Sequence, residues 1–315
     1  MPFRVAFFGT PAFAVPTLEH LLRSRHKVVG VVTQPDRPRG RGQQVSPWPV
    51  KAVAQAAGLP VLQPARLERD VFERDFASLG ADIGVVAAYG KILPDWLLAA
   101  PRRGLINVHA SLLPKYRGAS PIHHAIMAGE AETGVTIVRV VQALDSGAML
   151  AATAIPIGPQ DTTASLEPVL AEAGAALLVH TLDALSAGAV DEVQQDESQA
   201  TYAPRLTKAD GRVDWSRSAL QIHNQVRGLS PWPHADALLK GARYIVHRSA
   251  ISARTSDAPA GTIVAASAAD GLLVACGDHV CLEIVDLQPE GRRVMTARDL
   301  LANPAVSAGA RFSAE

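Results

Sequence analysis

Two nucleotide signatures are missing from this sequence. The first apolar run, "RVAFFG", is followed by "GTPAFAVP" and not by G-x-G-x-x-G, so the phosphate-cradling turn of a dinucleotide site is absent. No G-x-x-x-x-G-K-[ST] occurs either, which sets aside the commonest ATP-binding loop. No nucleotide cofactor is therefore expected. Cysteine is scarce: Cys276 and Cys281 stand alone in C-x4-C spacing, without a second pair to complete a zinc site. They read as small apolar residues in a reducing compartment. Net charge is also lacking, since 30 basic residues balance 30 acidic ones, and no global field advertises a polyanionic partner. Any nucleic-acid contact must be local. "RVAFFG" ends in a Gly-Thr-Pro turn with no cleavage-like site, and "DIGVVAAY" (82–89) falls short of the roughly 20 apolar residues a span requires. A cytoplasmic protein with no membrane association is the expectation.

What is present has a clear order. In a chain of 315 residues, apolar runs at 4–9, 27–34, 59–63, 82–89 and 104–110 alternate with helix-like stretches near 13–24, 50–58 and 68–78. That alternation predicts βαβ units and a doubly wound, mostly parallel α/β sheet, with ligands bound beyond the carboxyl ends of its strands at a topological switch point, which the end of the 104–110 run is expected to be. An Ala/Leu-rich helix at 165–188 closes this half. The polar stretch that follows, "DEVQQDESQATYAPRLTKADG", lacks apolar periodicity and reads as a surface linker. Beyond it lie a helix near 216–228 and short β-like runs joined by Gly-rich turns, which suggest a smaller OB-like β-barrel. The expected division is a domain at 1–190, a linker at 191–205 and a C-terminal domain at 206–315.

The candidate chemistry begins at "INVHASLLPKYRGASP" (106–121). In an extended strand Asn107 and His109 share one face, while Ile106 and Val108 point to the other. Alone, such a pair reads first as a polar cap on a core strand. Downstream, "TGVTIVRVVQALDSGAML" (133–150) sets Asp145 at a junction between strand and turn. A metal site is a competing use of His109, His123, His124 and Asp145, but adjacent histidines on a helix do not share a face. No metal is expected.

Together these stretches resemble the folate-dependent formyltransferase family, with its N-x-H-x-S-L-L-P-x-x-x-G segment and a later strand ending in D-x-G. The resemblance implies that Asn107, His109 and Asp145 are the catalytic trio and that Ser111, Leu112, Leu113 and Pro114 form the folate-binding turn. It also implies 10-formyltetrahydrofolate as a consumed co-substrate. Moving a formyl group to an amine calls for a neutral amine, hydrogen-bond donors for the oxyanion and a route for protons. An α-amino group titrates near pH 7.7 to 8.0, so a useful fraction is neutral at about pH 7. Asn107 and His109 can donate to the oxyanion, and Asp145 can orient His109 and relay the proton.

The acceptor is suggested by another stretch, "QPDRPRGRGQQVSPWPVK" (34–51), where Arg37, Arg39, Arg41 and Lys51 face one acid, Asp36. On composition it is an irregular surface loop. It also resembles the basic loop that methionyl-tRNA formyltransferases carry against the acceptor stem of initiator tRNA, with Arg41 on that family's G-R-G. "YAPRLTKADGRVDW", "RGLSPWPHA" and "GRRVMTARDLL" extend the likeness over nearly the whole chain, and Lys208 falls on a basic linker position. The resemblance thus implies tRNA contacts at Arg37, Arg39, Arg41 and Lys208, methionyl initiator tRNA as partner, and a monomer. One departure is His123, where relatives often have Gln. An enzyme with an amino sugar or water as acceptor, and a tRNA-binding module without activity, remain the alternatives.

Overall fold

The computed structural model describes residues 1–39 and 44–313. Two compact units emerge. The first comprises Met1–Pro121, Glu132–Pro156 and Glu167–Ala203; the second comprises Ile122–Ala131, Ile157–Leu166 and Pro204–Glu315.

The first unit is built on a seven-stranded sheet. Its strands are β1 (Arg4–Gly9), β2 (Lys27–Val32), β3 (Val61–Leu62), β4 (Ile83–Ala87), β5 (Leu105–His109), β6 (Glu132–Arg139) and β7 (Met149–Pro156), in the spatial order β7-β6-β5-β4-β1-β2-β3. The first five run parallel. β6 is antiparallel to both β5 and β7. Val5, Phe7, Phe8, Val31, Val85 and Ile106 are fully buried, as expected where helices cover both faces of a parallel sheet. On β7, at the edge, exposure alternates. The helices Val15–Arg23 and Pro49–Ala56 each place a proline in their first turn, where its missing N–H leaves no bond unmade.

One sequence expectation shifts here. The strand order reverses between β1 and β4, so the end of β5 lies one strand beyond the topological switch point and not at it. The segment expected to run as a surface linker is stitched into this unit. Val193 exchanges both backbone hydrogen bonds with Met149 (2.8 and 2.9 Å), and Tyr202–Ala203 pairs in parallel with Arg117–Gly118. Most of its side chains are exposed, as expected of a surface segment, whereas Gln195 and Ala203 are buried.

The helix Thr163–Ala187 is long and apolar enough to cross a membrane by length and composition. Here its Leu170, Ala171, Ala175, Leu178 and Leu182 are buried. Gly174 permits close approach to the sheet: a Cβ there would stand 2.7 Å from Val108 Cγ1 and 3.1 Å from Val135 Cγ1.

In the second unit the strands Ile263–Ser267, Gly271–Ala275, Val280–Pro289, Ala242–Thr255, Ala235–Leu239 and Phe312–Ser313 neighbour one another in that order. The sheet curls until its ends meet, with Ile263 N donating to Ala310 O (2.8 Å) and Phe312 N to Gly261 O (2.9 Å). This is the OB-like curled β-sheet expected from the short strands. The helix Ala219–Gly228 starts at a capping box in which Ser218 Oγ accepts from Gln221 N and Ser218 N donates to Gln221 Oε1. Trp215 stacks on Phe312 in the core, with ring centroids 5.5 Å apart.

Candidate active site

β5 ends the parallel part of the sheet. Ile106 and Val108 are buried on one of its faces, which leaves Asn107 and His109 together on the other. The turn after β6 brings Asp145 to both. Asp145 Oδ1 lies 3.5 Å from Asn107 Nδ2, and its Oδ2 lies 3.6 Å from His109 Nδ1 while accepting from Gly118 N at 2.9 Å. The Asn107 contact is at the limit of a hydrogen bond, so the amide retains most of its donor capacity.

His109 is 5% exposed, and its Nε2 is 3.0 Å from Tyr116 O. A carbonyl oxygen only accepts, so Nε2 carries the hydrogen and Nδ1 faces the carboxylate. When the ring is protonated at Nδ1, an ion pair with Asp145 forms. Such an arrangement can hold one mobile proton between imidazole and carboxylate beside an uncommitted amide.

The Ser111–Pro114 turn is fastened from below. Thr136, fully buried on β6, donates through its hydroxyl to Ser111 O (2.7 Å) and accepts from Leu113 N (3.1 Å). Ser111 Oγ donates to Lys115 O at 2.6 Å, and the Leu113–Pro114 peptide is cis. Thr136 was not picked out from the sequence, although a hydroxyl within the apolar run "TGVTIVRVV" was a readable signal. Arg117 and Gln195 were missed as well. Arg117 is 2% exposed and its guanidinium contacts Gln195 Oε1 and both oxygens of Glu197. Nothing in "DEVQQDES" marked Gln195 as buried.

The residues expected at the nucleic acid are placed as follows. Arg37 is exposed, and the adjacent Asp36 pairs with Lys51, whose ammonium holds the Asp36 carboxyl below its usual range. The backbone of Pro38–Arg39 pairs antiparallel with Gln44–Val45. Arg41 lies outside the described residues. Lys208 is exposed at the start of the short 3-10 helix Lys208–Gly211, which Thr207 and Asp210 cap reciprocally. Among the described residues no group of three or more His, Cys, Asp or Glu is placed to hold a metal ion. Burial pushes the His123 imidazole down to about 4.

Comparison with known proteins follows this geometry. Residues 3–182 match the formyl transferase family and residues 205–304 the formyl transferase C-terminal domain. A methionyl-tRNA formyltransferase from Acidobacterium capsulatum is 47% identical over 312 residues, covering 99% of this chain and 100% of that protein. One from Methylococcus capsulatus is 46% identical, covering 98% and 99%. Among solved structures, the N-formyltransferase from Helicobacter canadensis in complex with folinic acid and dTDP-3-aminofucose has a TM-score of 0.67 at 17% identity, over 90% of this chain and 98% of that one. At that identity the likeness is one of fold. Two matched domains in order and end-to-end identity to such relatives place this chain in the formyl transferase family, among the methionyl-tRNA formyltransferases.

Proposed function

We propose that this enzyme transfers the formyl group of 10-formyltetrahydrofolate to the α-amino group of methionyl initiator tRNA. The observation that carries the reading is the convergence of Asp145 on Asn107 and His109 at the end of β5. The Ser111–Pro114 turn beside them would receive the folate, its N10 directed toward the trio. In the reaction the amine nitrogen attacks the formyl carbon and loses a proton, the bond from that carbon to N10 breaks, and N10 gains a proton. Asn107 would donate to the oxyanion through its amide N–H. His109 would stand beside the same carbon, and Asp145 would carry the proton from the incoming nitrogen toward the leaving one.

Arg37, Arg39, Arg41 and Lys208 are proposed as tRNA contacts, Arg41 first among them. Guanidinium groups suit phosphates and guanine edges, and the chain as a whole carries no net charge that would attract a polyanion by itself. The domain division at 1–190, 191–205 and 206–315, a monomeric state and a cytoplasmic location belong to the same proposal.

The test is a product assay. The protein is incubated with 10-formyltetrahydrofolate and either charged initiator tRNA, an amino sugar or no added acceptor. Formylmethionyl-tRNA as the product supports the reading. A formylated sugar, or formate released to water at the same rate without tRNA, overturns the choice of acceptor.

A further inference from the structure

Asp145 does not hold itself in place. Its φ of 49° lies in the left-handed region, which is uncommon for a residue with a side chain although aspartate enters it more readily than most. Across the turn, Ser146 N reaches Ala143 O at a long 3.4 Å. The strong contacts come from the segment that follows the long helix. Gln195, 9% exposed, donates both amide hydrogens of Nε2 to the turn, one to Asp145 O (2.7 Å) and one to Gly147 O (2.8 Å).

The orientation of that amide is itself determined. Gln195 Oε1 accepts from Arg117 Nε (3.0 Å) and Nη2 (2.8 Å). A flipped amide would set its NH2 against the guanidinium and its oxygen against two carbonyl oxygens. Arg117 is anchored in turn by Glu197, through Nη1 to Oε2 (2.9 Å) and Nη2 to Oε1 (2.7 Å).

The same segment reaches the other side of the site. Arg117 N donates to Thr201 O (2.9 Å), and Tyr116 N to Thr201 Oγ1 (2.8 Å). Tyr116 O is the acceptor for His109 Nε2, and Gly118 N is the donor to Asp145 Oδ2. Only glycine fits at 118: its φ is 122°, and a Cβ would lie 2.6 Å from Ala203 O. One strip of chain, 193–203, therefore touches the support of both the imidazole and the carboxylate.

We propose that residues 193–203 brace the active site, with Gln195 as a positioning residue that acts through Asp145. The proposal rests on the reading of Asp145 as catalytic. Misplacing a reacting group by about 1 Å can cost about a hundredfold in rate. Gln195→Met keeps the length of the side chain and removes both donors.

The experiment is steady-state kinetics of the full chain with 10-formyltetrahydrofolate and methionyl initiator tRNA, for Gln195→Met, Asp145→Ala and the double variant. Gln195→Met is expected to lower kcat by about ten- to a hundredfold, with the KM for either substrate unchanged. In the Asp145→Ala background the same change should leave kcat nearly as it was, because a brace has no effect once the braced group is gone. Equal losses in both backgrounds, or an unaltered kcat for Gln195→Met, would overturn the proposal. An unaltered kcat for Asp145→Ala would instead overturn the reading of Asp145, and the brace with it. Should Gln195→Met fail to fold, Gln195→Glu keeps the acceptor for Arg117 and lacks the donors, and the same pattern is expected of it.

Discussion

Asn107 separates a structural role from a catalytic one. Its side chain meets Asp145 at a long 3.5 Å, so truncation removes little that holds the fold together. An ordinary hydrogen bond contributes about 0.5 to 1.5 kcal/mol to stability, whereas an oxyanion donor contributes about 2.7 to 4 kcal/mol to the transition state. Asn107→Ala is therefore expected to leave the melting temperature almost unchanged and to lower turnover about a hundredfold or more. Thermal melts and kcat on one preparation check this; a variant that melts early while its folded fraction keeps full activity points to a structural Asn107. His123 shows the opposite balance. Burial depresses its imidazole from 6.5 to about 4, so between those values the unfolded chain binds the extra proton and stability falls as pH falls. His123→Gln is expected to flatten the decline of melting temperature across that window, and an unchanged slope would assign the decline to other groups. Asn107, His109 and Asp145, which the fold brings together, could be singled out beforehand because a spaced motif announces itself. It did not reveal Gln195, because one glutamine in a polar run looks the same whether it faces water or two carbonyls.

At the scale of elements, β5 is held from behind by the helix Thr163–Ala187 at Gly174. Gly174→Val would drive methyl groups into Val108, the residue between Asn107 and His109. Overpacking of this kind costs typically about 1 to 3 kcal/mol, and the strand can relieve it only by moving. Both the melting temperature and kcat are expected to drop. Loss of stability with kcat intact would show that the strand end is insulated from its packing face. The periodicity of the sequence gave these elements nearly to the residue: helix 165–188 was expected and Thr163–Ala187 is found. Parallel strands covered on both sides leave unbroken apolar runs, which are easy to recognise. The expected surface linker illustrates what periodicity misses. A strip whose backbone pairs at only a few separated residues, and otherwise through side chains, has no apolar period to betray it.

Over the whole molecule the charge is balanced, and the C-terminal residues 205–315 hold thirteen basic against eleven acidic residues. Affinity for a polyanion must then come from a small number of basic side chains. If Arg37, Arg39 and Arg41 meet phosphates, replacing all three with alanine should reduce the slope of log K against log salt by about 2 to 3 units. Binding measured across a salt series reads this directly, and an unchanged slope would move tRNA recognition to another surface. The order of two domains was legible as a change from βαβ alternation to short β-runs. The seating of the chemistry was only half legible, since a motif names the reacting groups while three-dimensional contacts decide what aims them. The most direct measurement is the single-turnover rate of formyl transfer from saturating 10-formyltetrahydrofolate to methionyl initiator tRNA, comparing the wild-type chain with Asp145→Asn. A fall of about 10² to 10⁴ is expected, the usual contribution of a positioned acid or base. Transfer at the wild-type rate would contradict the central role given to the Asn107, His109 and Asp145 cluster.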